Sequence, residues 1–374
     1  MAHVFIVDEN TLSVHLKYKF AGTGAKNYKC DYLENNSIEI NSSVERLLSG
    51  MIADISRVKK GDAVIFYLQQ TSKHEGMFFG SFIVEDNPFL SNDDYLKTEL
   101  RKNLTFRVKL IPGEVYKYGI TERECLDSLK DIEHPSQMCW SLIYRKLKGN
   151  RGCTMITNYE YNQIMKKIKS KNNNKYIESN NFDYDKENNQ IIPFNNELEY
   201  KGKKEALNIK DRLLYKKRKR NAYETHLQAY VLQNLSKIDC LKINKDPITW
   251  IGNEVSCGVG MQSMDICFIQ ENEKEVDIAI CELKDEQPKE YIKKQLEKYI
   301  EWIVDYIVPT YNKKVILNPI IIAPKPNLKA KKIFSIIKES LISTTNKIEV
   351  KAIKYIGFEE ENSEILFKEV CNEK

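Results

Sequence analysis

The run Val276-Asp-Ile-Ala-Ile-Cys281 does most to limit the fold of this chain, because it is almost entirely apolar and leads directly into Glu282-Leu-Lys284. A short, nearly continuous apolar run is typical of a central strand that is covered on both faces. Residues two apart on a strand share a face, so Glu282 and Lys284 are expected to point the same way. The sequence therefore predicts a buried sheet with charged side chains where this strand ends.

Elements on both sides of this strand predict an α/β domain with a mixed sheet, in the order α-β-β-β-α-β-α-β. The predicted elements are a helix at 221–235, strands at 248–256, 264–269 and 276–283, a helix at 288–307, a strand at 315–323, a helix at 328–342 and a strand at 348–356.

A second acidic residue, Asp265, lies in the preceding strand, and the polar stretch 270–275 joins the two strands. A hairpin centred on that stretch sets Asp265 opposite about Ile280, on the same face as Glu282 and Lys284. A one-residue slip in register would turn Asp265 to the other face.

Two carboxylates and a lysine at one strand end suit a hard divalent cation such as Mg²⁺, with Mn²⁺ as a substitute. The expected chemistry is phosphodiester hydrolysis, in which the metal activates a bound water and Lys284 orients that water or neutralises developing charge. The alternative is an exposed ion pair between Glu282 and Lys284 where a strand runs out.

Together with the helical element Gln295-x-x-x-Tyr299, the residues Asp265 and Glu282-x-Lys284 resemble the PD-(D/E)xK nuclease superfamily. The resemblance implies a restriction-endonuclease-like mixed sheet flanked by helices. It also implies that the two carboxylates bind metal, that Lys284 assists the attacking water, and that Gln295 and Tyr299 support the site or contact DNA.

Met264 stands where this superfamily usually has a proline before the first acid. In many members an acidic residue on the first helix joins the metal site, and Glu224 is the candidate here. Its alternative is a helix-start glutamate favoured by the macrodipole. Glu254, near the end of the first strand, is a further supporting candidate.

A basic cluster precedes the Glu224 helix, and it is expected to contact a phosphate backbone near the active site. Its alternative is a solvated chain end. The cluster consists of Lys216, Lys217, Arg218, Lys219 and Arg220.

Residues 1–169 alternate strand and helix signals, which predicts a separate α+β domain. Ser42-Ser-Val-Glu45 has capping-box spacing and begins an amphipathic helix that continues to Ile55. Strands are predicted at 63–68, 77–84 and 104–110.

The segment from Gly61-Asp62 to Phe78-Phe-Gly80-x-Phe82-x-Val84 resembles the PUA-like group, which includes EVE and YTH domains. The resemblance implies a small barrel that holds a flipped, modified base in an aromatic pocket. Core packing is the alternative for the aromatic residues, and the outer face of an amphipathic helix is the alternative for the basic ones. The candidates are Tyr67, Phe79 and Trp140 for the base pocket and Arg145 and Arg151 for DNA contacts.

Between the two predicted domains, residues 170–204 are crowded with Asn, Lys, Glu, Asp and Tyr. A polar tract of this kind predicts a linker, because it cannot bury enough surface to order itself. Its alternative is a flexible arm that contacts a partner. The predicted nuclease domain then spans 205–374.

The composition of the chain limits which partners and which cellular compartment are expected for the protein. A net charge of only +5 means that any nucleic-acid-binding surface must be local. Nine cysteines without CxxC spacing indicate a reduced protein without structural zinc. Because the apolar run Val4–Val7 is too short for a signal peptide and no run suits a membrane span, a cytoplasmic, membrane-free protein is expected.

These features together predict a Mg²⁺-dependent DNA endonuclease, a restriction or defence enzyme directed by an N-terminal reader of DNA or of a modified base. One active site per chain makes a homodimer the expected form for double-strand cleavage. The alternatives are a repair or structure-specific nuclease, a ligand-gated defence nuclease and a catalytically silent DNA-binding protein.

Overall fold

The computed structural model describes residues 1–25, 28–127, 153–243, 246–257, 262–338 and 347–370. The chain divides into two compact units, with the boundary between Asn208 and Ile209. The candidates Trp140, Arg145 and Arg151 lie outside the described residues.

The first unit is built on a mixed sheet with the order β2-β6-β4-β3-β1-β8 in its described part, while β5 pairs with β6 and β7 with β4. Strand β1 is parallel to β3, and the other pairings are antiparallel. Its strands are β1 Ala2–Val7, β2 Phe20–Thr23, β3 Ala63–Leu68, β4 Met77–Val84, β5 Phe89–Leu90, β6 Phe106–Pro112, β7 Ile120–Thr121 and β8 Cys153–Ile156. Its helices are α1 Glu9–Tyr18, α2 Asp31–Glu34, α3 Ser42–Ser56, α4 Lys97–Leu100, α5 Glu122–Leu126 and α6 Asn158–Lys171.

Helix α3 forms where apolar periodicity predicts it, and its buried face includes Leu48, Ile52 and Ile55. Its cap differs from the prediction. Asn41, rather than Ser42, is the N-cap, and its side chain accepts a hydrogen bond from the Ser43 amide at 3.0 Å. The side-chain oxygen of Asn41 thus satisfies one of the first-turn N–H groups, in the N-cap role that the prediction gave to Ser42.

The tract 170–204 is not an extended linker, and this corrects the sequence prediction. It continues α6 to Lys171 and then forms an antiparallel hairpin of β9 Phe182–Asp185 and β10 Gln190–Pro193. Tyr200 follows the hairpin and is also buried. The physical reason is that a few apolar side chains, spaced two apart as in a strand, are buried within the first unit despite the polar composition around them.

The second unit contains a mixed sheet with the order β11-β12-β13-β14-β16-β17, to which β15 adds beside β14. Strands β11, β12 and β13 are antiparallel, β13, β14 and β16 run parallel, and β17 returns antiparallel. Its strands are β11 Ile248–Ser256, β12 Ser263–Glu271, β13 Glu275–Leu283, β14 Lys314–Pro324, β15 Ile348–Val350, β16 Lys354–Glu361 and β17 Glu364–Glu369. Its helices are α7 Lys210–Arg218, α8 Glu224–Gln233, α9 Tyr291–Tyr306 and α10 Leu328–Lys338.

This sheet confirms the predicted α/β class and its mixed strand directions. The predicted last strand at 348–356 is instead two strands, β15 and β16, and β17 was not predicted. Helices α9 and α10 share one hydrophobic core with the sheet, in which Ile292, Leu296 and Phe334 are buried against Ile280. Among the described residues, no helix is both long and apolar enough to cross a membrane.

Candidate active site

The hairpin of β12 and β13 sets the relative positions of the two acids. Cys267 faces Ile280 and Ile266 faces Cys281, so the same register places Asp265 opposite Glu282. The sequence prediction placed Asp265 opposite Ile280, two residues away. Because side chains alternate with a period of two, the correction leaves Asp265 and Glu282 on one face of the sheet.

Lys284 connects this pair to a third acid. Its Nζ lies 2.7 Å from Glu282 Oε1, 2.8 Å from the Leu283 carbonyl oxygen and 3.5 Å from Glu224 Oε2. Asp265 Oδ2 accepts a hydrogen bond of 2.6 Å from the Leu283 amide. The structure thus brings together the four predicted side chains of Asp265, Glu282, Lys284 and Glu224.

Burial and mutual repulsion perturb these groups strongly. Burial raises the pKa of Asp265 well above its usual value, and the Glu282 carboxylate raises it further. Burial also raises the pKa of Glu282, although the Lys284 ammonium opposes that shift. For Lys284 burial lowers the pKa, but the carboxylates of Glu282, Asp265 and Glu224 outweigh it and the net shift is upward. Such coupled shifts at the end of a central strand are typical of functional sites.

One oxygen of this cluster lacks a donor. Glu282 is buried, and its Oε2 makes no hydrogen bond with any other described residue. The Tyr299 hydroxyl lies near enough to affect the pKa of Glu282, but it donates its hydrogen to the Ser263 carbonyl oxygen at 2.7 Å. Gln295 in turn donates from Nε2 to the Tyr299 hydroxyl oxygen at 2.6 Å. An unpaired, buried carboxylate oxygen is a position that a cation can satisfy.

The sequence prediction missed Gln228, which lies on α8 four residues after Glu224. Its buried Nε2 donates to the Asp265 carbonyl oxygen at 2.8 Å and to Glu254 Oε1 at 3.0 Å. Ser263 also donates to Glu254, at 2.9 Å, so Glu254 belongs to the polar surroundings of the site. The spacing from Glu224 was the available signal, because residues four apart share a helix face.

The residue before α8 is hydrogen-bonded to the residue that follows Lys284. The Tyr223 amide donates to Asp285 Oδ2 at 3.1 Å, and the Tyr223 hydroxyl donates to the Asp285 carbonyl oxygen at 2.8 Å. These two bonds hold the start of α8, and with it Glu224, beside Lys284.

The predicted basic cluster is largely occupied by contacts inside the second unit. Lys217 Nζ lies 3.6 Å from Glu360, and Arg218 Nε donates to the same carboxylate at 2.9 Å. Lys216 is buried, and the Lys219 ammonium lies 5.9 Å from the centre of the Tyr215 ring. Glu360 offsets one positive charge of this cluster, and the side chains of Arg218 and Lys219 stay exposed, so the contact with a phosphate backbone stays a prediction. Arg220 is exposed.

Two of the three predicted base-stacking aromatics, Tyr67 and Phe79, are core residues, which corrects their assignment. The Tyr67 hydroxyl donates to Glu122, and Phe79 packs edge-on against Tyr184 with ring centres 5.8 Å apart. Both side chains are buried because they lie on the paired strands β3 and β4. A surface pocket of about 410 Å³ lies elsewhere, and its lining includes Glu114, Tyr161, Met165, Lys166, Lys169 and Asn174.

The donor set favours a hard cation but is small. Within the described ranges, no group of three or more His, Cys, Asp or Glu residues is arranged to hold a metal ion. Asp265 and Glu282 nevertheless offer carboxylate oxygens, including the unpaired Oε2. These residues fit Mg²⁺, which commonly takes only one or two protein carboxylates and completes its shell with water and phosphate oxygens.

Comparisons with known proteins leave the family open. No protein-family model and no curated protein matches the chain. Similar solved structures include a hypothetical protein from Leishmania major, with 15% identity, a TM-score of 0.29, and coverage of 46% of this chain and 95% of that one. A protein from Pseudomonas putida has 13% identity and a TM-score of 0.27, covering 44% and 98%. Human THYN1, solved with 5-methylcytosine-containing DNA, has 10% identity and a TM-score of 0.25, covering 44% and 95%. Similarity this low assigns neither fold nor function.

Proposed function

We propose that the second unit is a divalent-metal-dependent nuclease of the PD-(D/E)xK type that hydrolyses phosphodiester bonds in DNA. The observation that carries this proposal is the convergence of Asp265, Glu282 and Lys284 at one strand end, with the pKa of every one of them raised. A surface ion pair at the end of a strand does not explain a second partly buried carboxylate or the unpaired oxygen of Glu282.

Asp265 and Glu282 would hold Mg²⁺, with Mn²⁺ as a substitute. When bound, the cation supplies polarisation of the scissile phosphate and a lower pKa for its water ligand. The chain's own residues fix the geometry. The Leu283 amide holds Asp265, and Gln228 holds the backbone of the same residue from α8.

Lys284 acts in this proposal as a cation. Its raised pKa keeps the ammonium protonated near neutral pH, so it is suited to orient a water or to stabilise negative charge on the phosphate. A general base would need the opposite shift. Gln295 and Tyr299 are positioning residues that support the rim of the site.

For the first unit we propose DNA recognition, with a modified base as the specific target. The support is the PUA-like sequence pattern together with the open pocket that Tyr161 and Asn174 help to line. A tyrosine ring and amide groups suit the stacking and edge recognition of an extruded base. The complete protein would then be a restriction or defence endonuclease that acts as a homodimer.

Cleavage assays test both parts of this proposal. The substrates are matched plasmids with and without modified cytosines, and branched and mismatched duplexes, each incubated with Mg²⁺. We expect Lys284→Ala to reduce cleavage by about 100-fold or more, since it removes charge stabilisation in the transition state. The matched control is Lys289→Ala, an exposed lysine paired with Glu286.

Cleavage that persists in Lys284→Ala refutes the active-site assignment. Equal cleavage of every substrate refutes the modified-base reader while leaving the nuclease in place. Mass measurement in solution tests the homodimer.

A further inference from the structure

Helices α9 and α10 both begin at the edge of the sheet that carries the candidate active site. Each follows one of two parallel strands, β13 and β14, and crosses back over the same face. The two starts are linked by Gln287, whose Nε2 donates to the Lys325 carbonyl oxygen at 3.0 Å and whose Oε1 accepts from the Asn327 amide at 3.3 Å. The Lys284 amide donates to the Ile322 carbonyl oxygen at 2.9 Å at this same edge.

Five exposed lysines near these helix starts have no acidic partner. No ion pair or hydrogen bond of their ammonium groups occurs among the residues that the structure describes. In contrast, the lysines that directly precede and follow β14 are paired, Lys313 with Glu271 and Lys325 with Glu359. The unpaired lysines, here called the lysine face, are Lys294 and Lys298 on α9 and Lys329, Lys331 and Lys332 on α10.

Except for Lys298, which lies in the middle of α9, these lysines lie within the first five residues of their helices, a position that is unfavourable for an isolated helix. A helix N-terminus carries partial positive charge, so acids are favoured there and lysines are disfavoured. Neither α9 nor α10 has an acidic residue in its first turn. At α9 the N-cap residue Glu290 is acidic and Glu297 pairs with Lys293, whereas the exposed acids Glu301 and Asp305 come in the second half, away from the site. This arrangement indicates an anionic partner at the site end.

The α9 part of the lysine face also carries an exposed aromatic ring beside a predicted site residue. Tyr291 is 52% exposed and lies three residues before Lys294 and seven before Lys298, which places all three on one side of the helix. Gln295, adjacent to Lys294, is hydrogen-bonded to Tyr299. Cations interleaved with an aromatic ring are typical of surfaces that follow a nucleic-acid backbone.

We propose that the lysine face binds the phosphate backbone of DNA and leads it to the strand end that carries Glu282 and Lys284. This proposal rests on the proposed function, which it deepens by assigning the surface that holds the substrate. It also places the principal backbone-binding surface on these helices rather than on the cluster 216–220, where Lys217 and Arg218 share an ion pair with Glu360.

Equilibrium binding without cleavage tests the proposal. The full chain is titrated onto a fluorescently labelled DNA duplex in EDTA at several salt concentrations. Each phosphate contact that is lost lowers the slope of log affinity against log salt by about 0.9. We therefore expect the slope to fall by about 2 in the double variant Lys294→Gln, Lys298→Gln and by about 3 in the triple variant Lys329→Gln, Lys331→Gln, Lys332→Gln, with affinity at least about 10-fold weaker.

The matched control is Lys314→Gln combined with Lys351→Gln. It removes the same charge as the double variant, but both lysines pair with Glu349, so the slope is expected to stay at the wild-type value. Thermal denaturation of each variant verifies folding. Since binding is measured in EDTA, slopes that fall as expected support the lysine face even if no cleavage is found with Mg²⁺. Unchanged slopes in the lysine variants, or wild-type binding without salt dependence, overturn the proposal even if the protein proves to be a nuclease.

Discussion

At the scale of single residues, the carboxylates of the candidate site outnumber its one ammonium group, which is unfavourable for the stability of the folded protein. Asp265 and Glu282 stand opposite each other on adjacent strands, and Lys284 supplies one ammonium between them and Glu224. Carboxylates that are desolvated beside one another are destabilising in the absence of a cation. The stability of the metal-free protein should therefore improve when one of these charges is removed.

We expect Asp265→Asn to raise the free energy of unfolding in EDTA. Because the pKa of Asp265 is raised in the folded state, its favourable contribution is present below the ordinary carboxyl pKa and is lost as pH rises through the folded value. The variant should be more stable than wild type by about 1 kcal/mol or more near pH 8, and the difference should vanish near pH 4 or below. Urea denaturation at both pH values measures it.

Asparagine keeps an oxygen that can accept from the Leu283 amide, so the substitution changes charge with little change in bonding. Asp305→Asn, at an exposed position of α9, is the control and should leave stability nearly unchanged. A variant that is less stable than wild type at both pH values contradicts the expectation.

The convergence of Asp265, Glu282 and Lys284 at one strand end could be predicted, but their register and the contact of Gln228 could not. The predicted hairpin was centred on the polar stretch 270–275, whereas β12 continues to Glu271 and β13 begins at Glu275. Gln270 remains in the strand because its side-chain amide donates to the carbonyl oxygens of Ile243 and Asp246, at 2.8 and 2.7 Å. From the sequence alone, a polar residue such as Gln270 indicates a turn, because the carbonyl groups that accept its hydrogen bonds are distant in the sequence.

At the scale of elements, α9 supports the site through one chain of hydrogen bonds. Gln295 donates to Tyr299, and Tyr299 donates to the Ser263 carbonyl oxygen at the start of β12. We expect Tyr299→Phe to lower the free energy of unfolding by about 1 kcal/mol, because both bonds are lost at a buried position. Cleavage should fall as well, since β12 carries Asp265.

Chemical denaturation and the plasmid assay measure the two effects in the same preparation. Tyr306→Phe is the matched control, because Tyr306 lies near the other end of α9 and is 39% exposed. If Tyr299→Phe has the stability and cleavage of wild type, the helix does not support the site in this way.

The elements that apolar periodicity could predict differ in kind from those it missed. Strands β3 and β4 lie at their predicted positions, because each carries a dense apolar run, and β11 also lies at its predicted position. Strand β17 was missed since half of its sequence, Glu364 to Glu369, is polar and only one of its side chains is buried. The ion pair of Arg218 with Glu360 joins residues 142 apart, and no local pattern indicates it.

At the scale of the whole molecule, composition gave the wrong boundary. The tract 170–204 has the composition of a linker, but its side chains Phe182, Tyr184, Ile191 and Tyr200 are buried and the first unit ends only at Asn208. A low average hydrophobicity does not exclude folding when neighbouring strands supply the rest of the core. The aromatic contacts of Phe182 with Phe82 and of Tyr184 with Phe79 are of this kind.

This boundary predicts how fragments of the chain will fold. We expect residues 1–208 to unfold cooperatively on heating, and residues 1–169 to show no cooperative transition. The shorter fragment loses the buried side chains of Phe182, Tyr184, Ile191 and Tyr200. At about 1.5–3 kcal/mol for each, their loss is comparable with the net stability of about 5–15 kcal/mol of a typical domain.

Calorimetry and far-ultraviolet circular dichroism of the two fragments measure the difference. Fragments 170–374 and 209–374 provide the control, and they should melt at nearly the same temperature, because residues 170–208 belong to the first unit. If fragment 1–169 melts as cooperatively as fragment 1–208, the hairpin of β9 and β10 is not part of the first folding unit. A melting temperature that drops from 170–374 to 209–374 would instead assign the hairpin to the second unit, since a segment stabilises the unit whose apolar surface it covers.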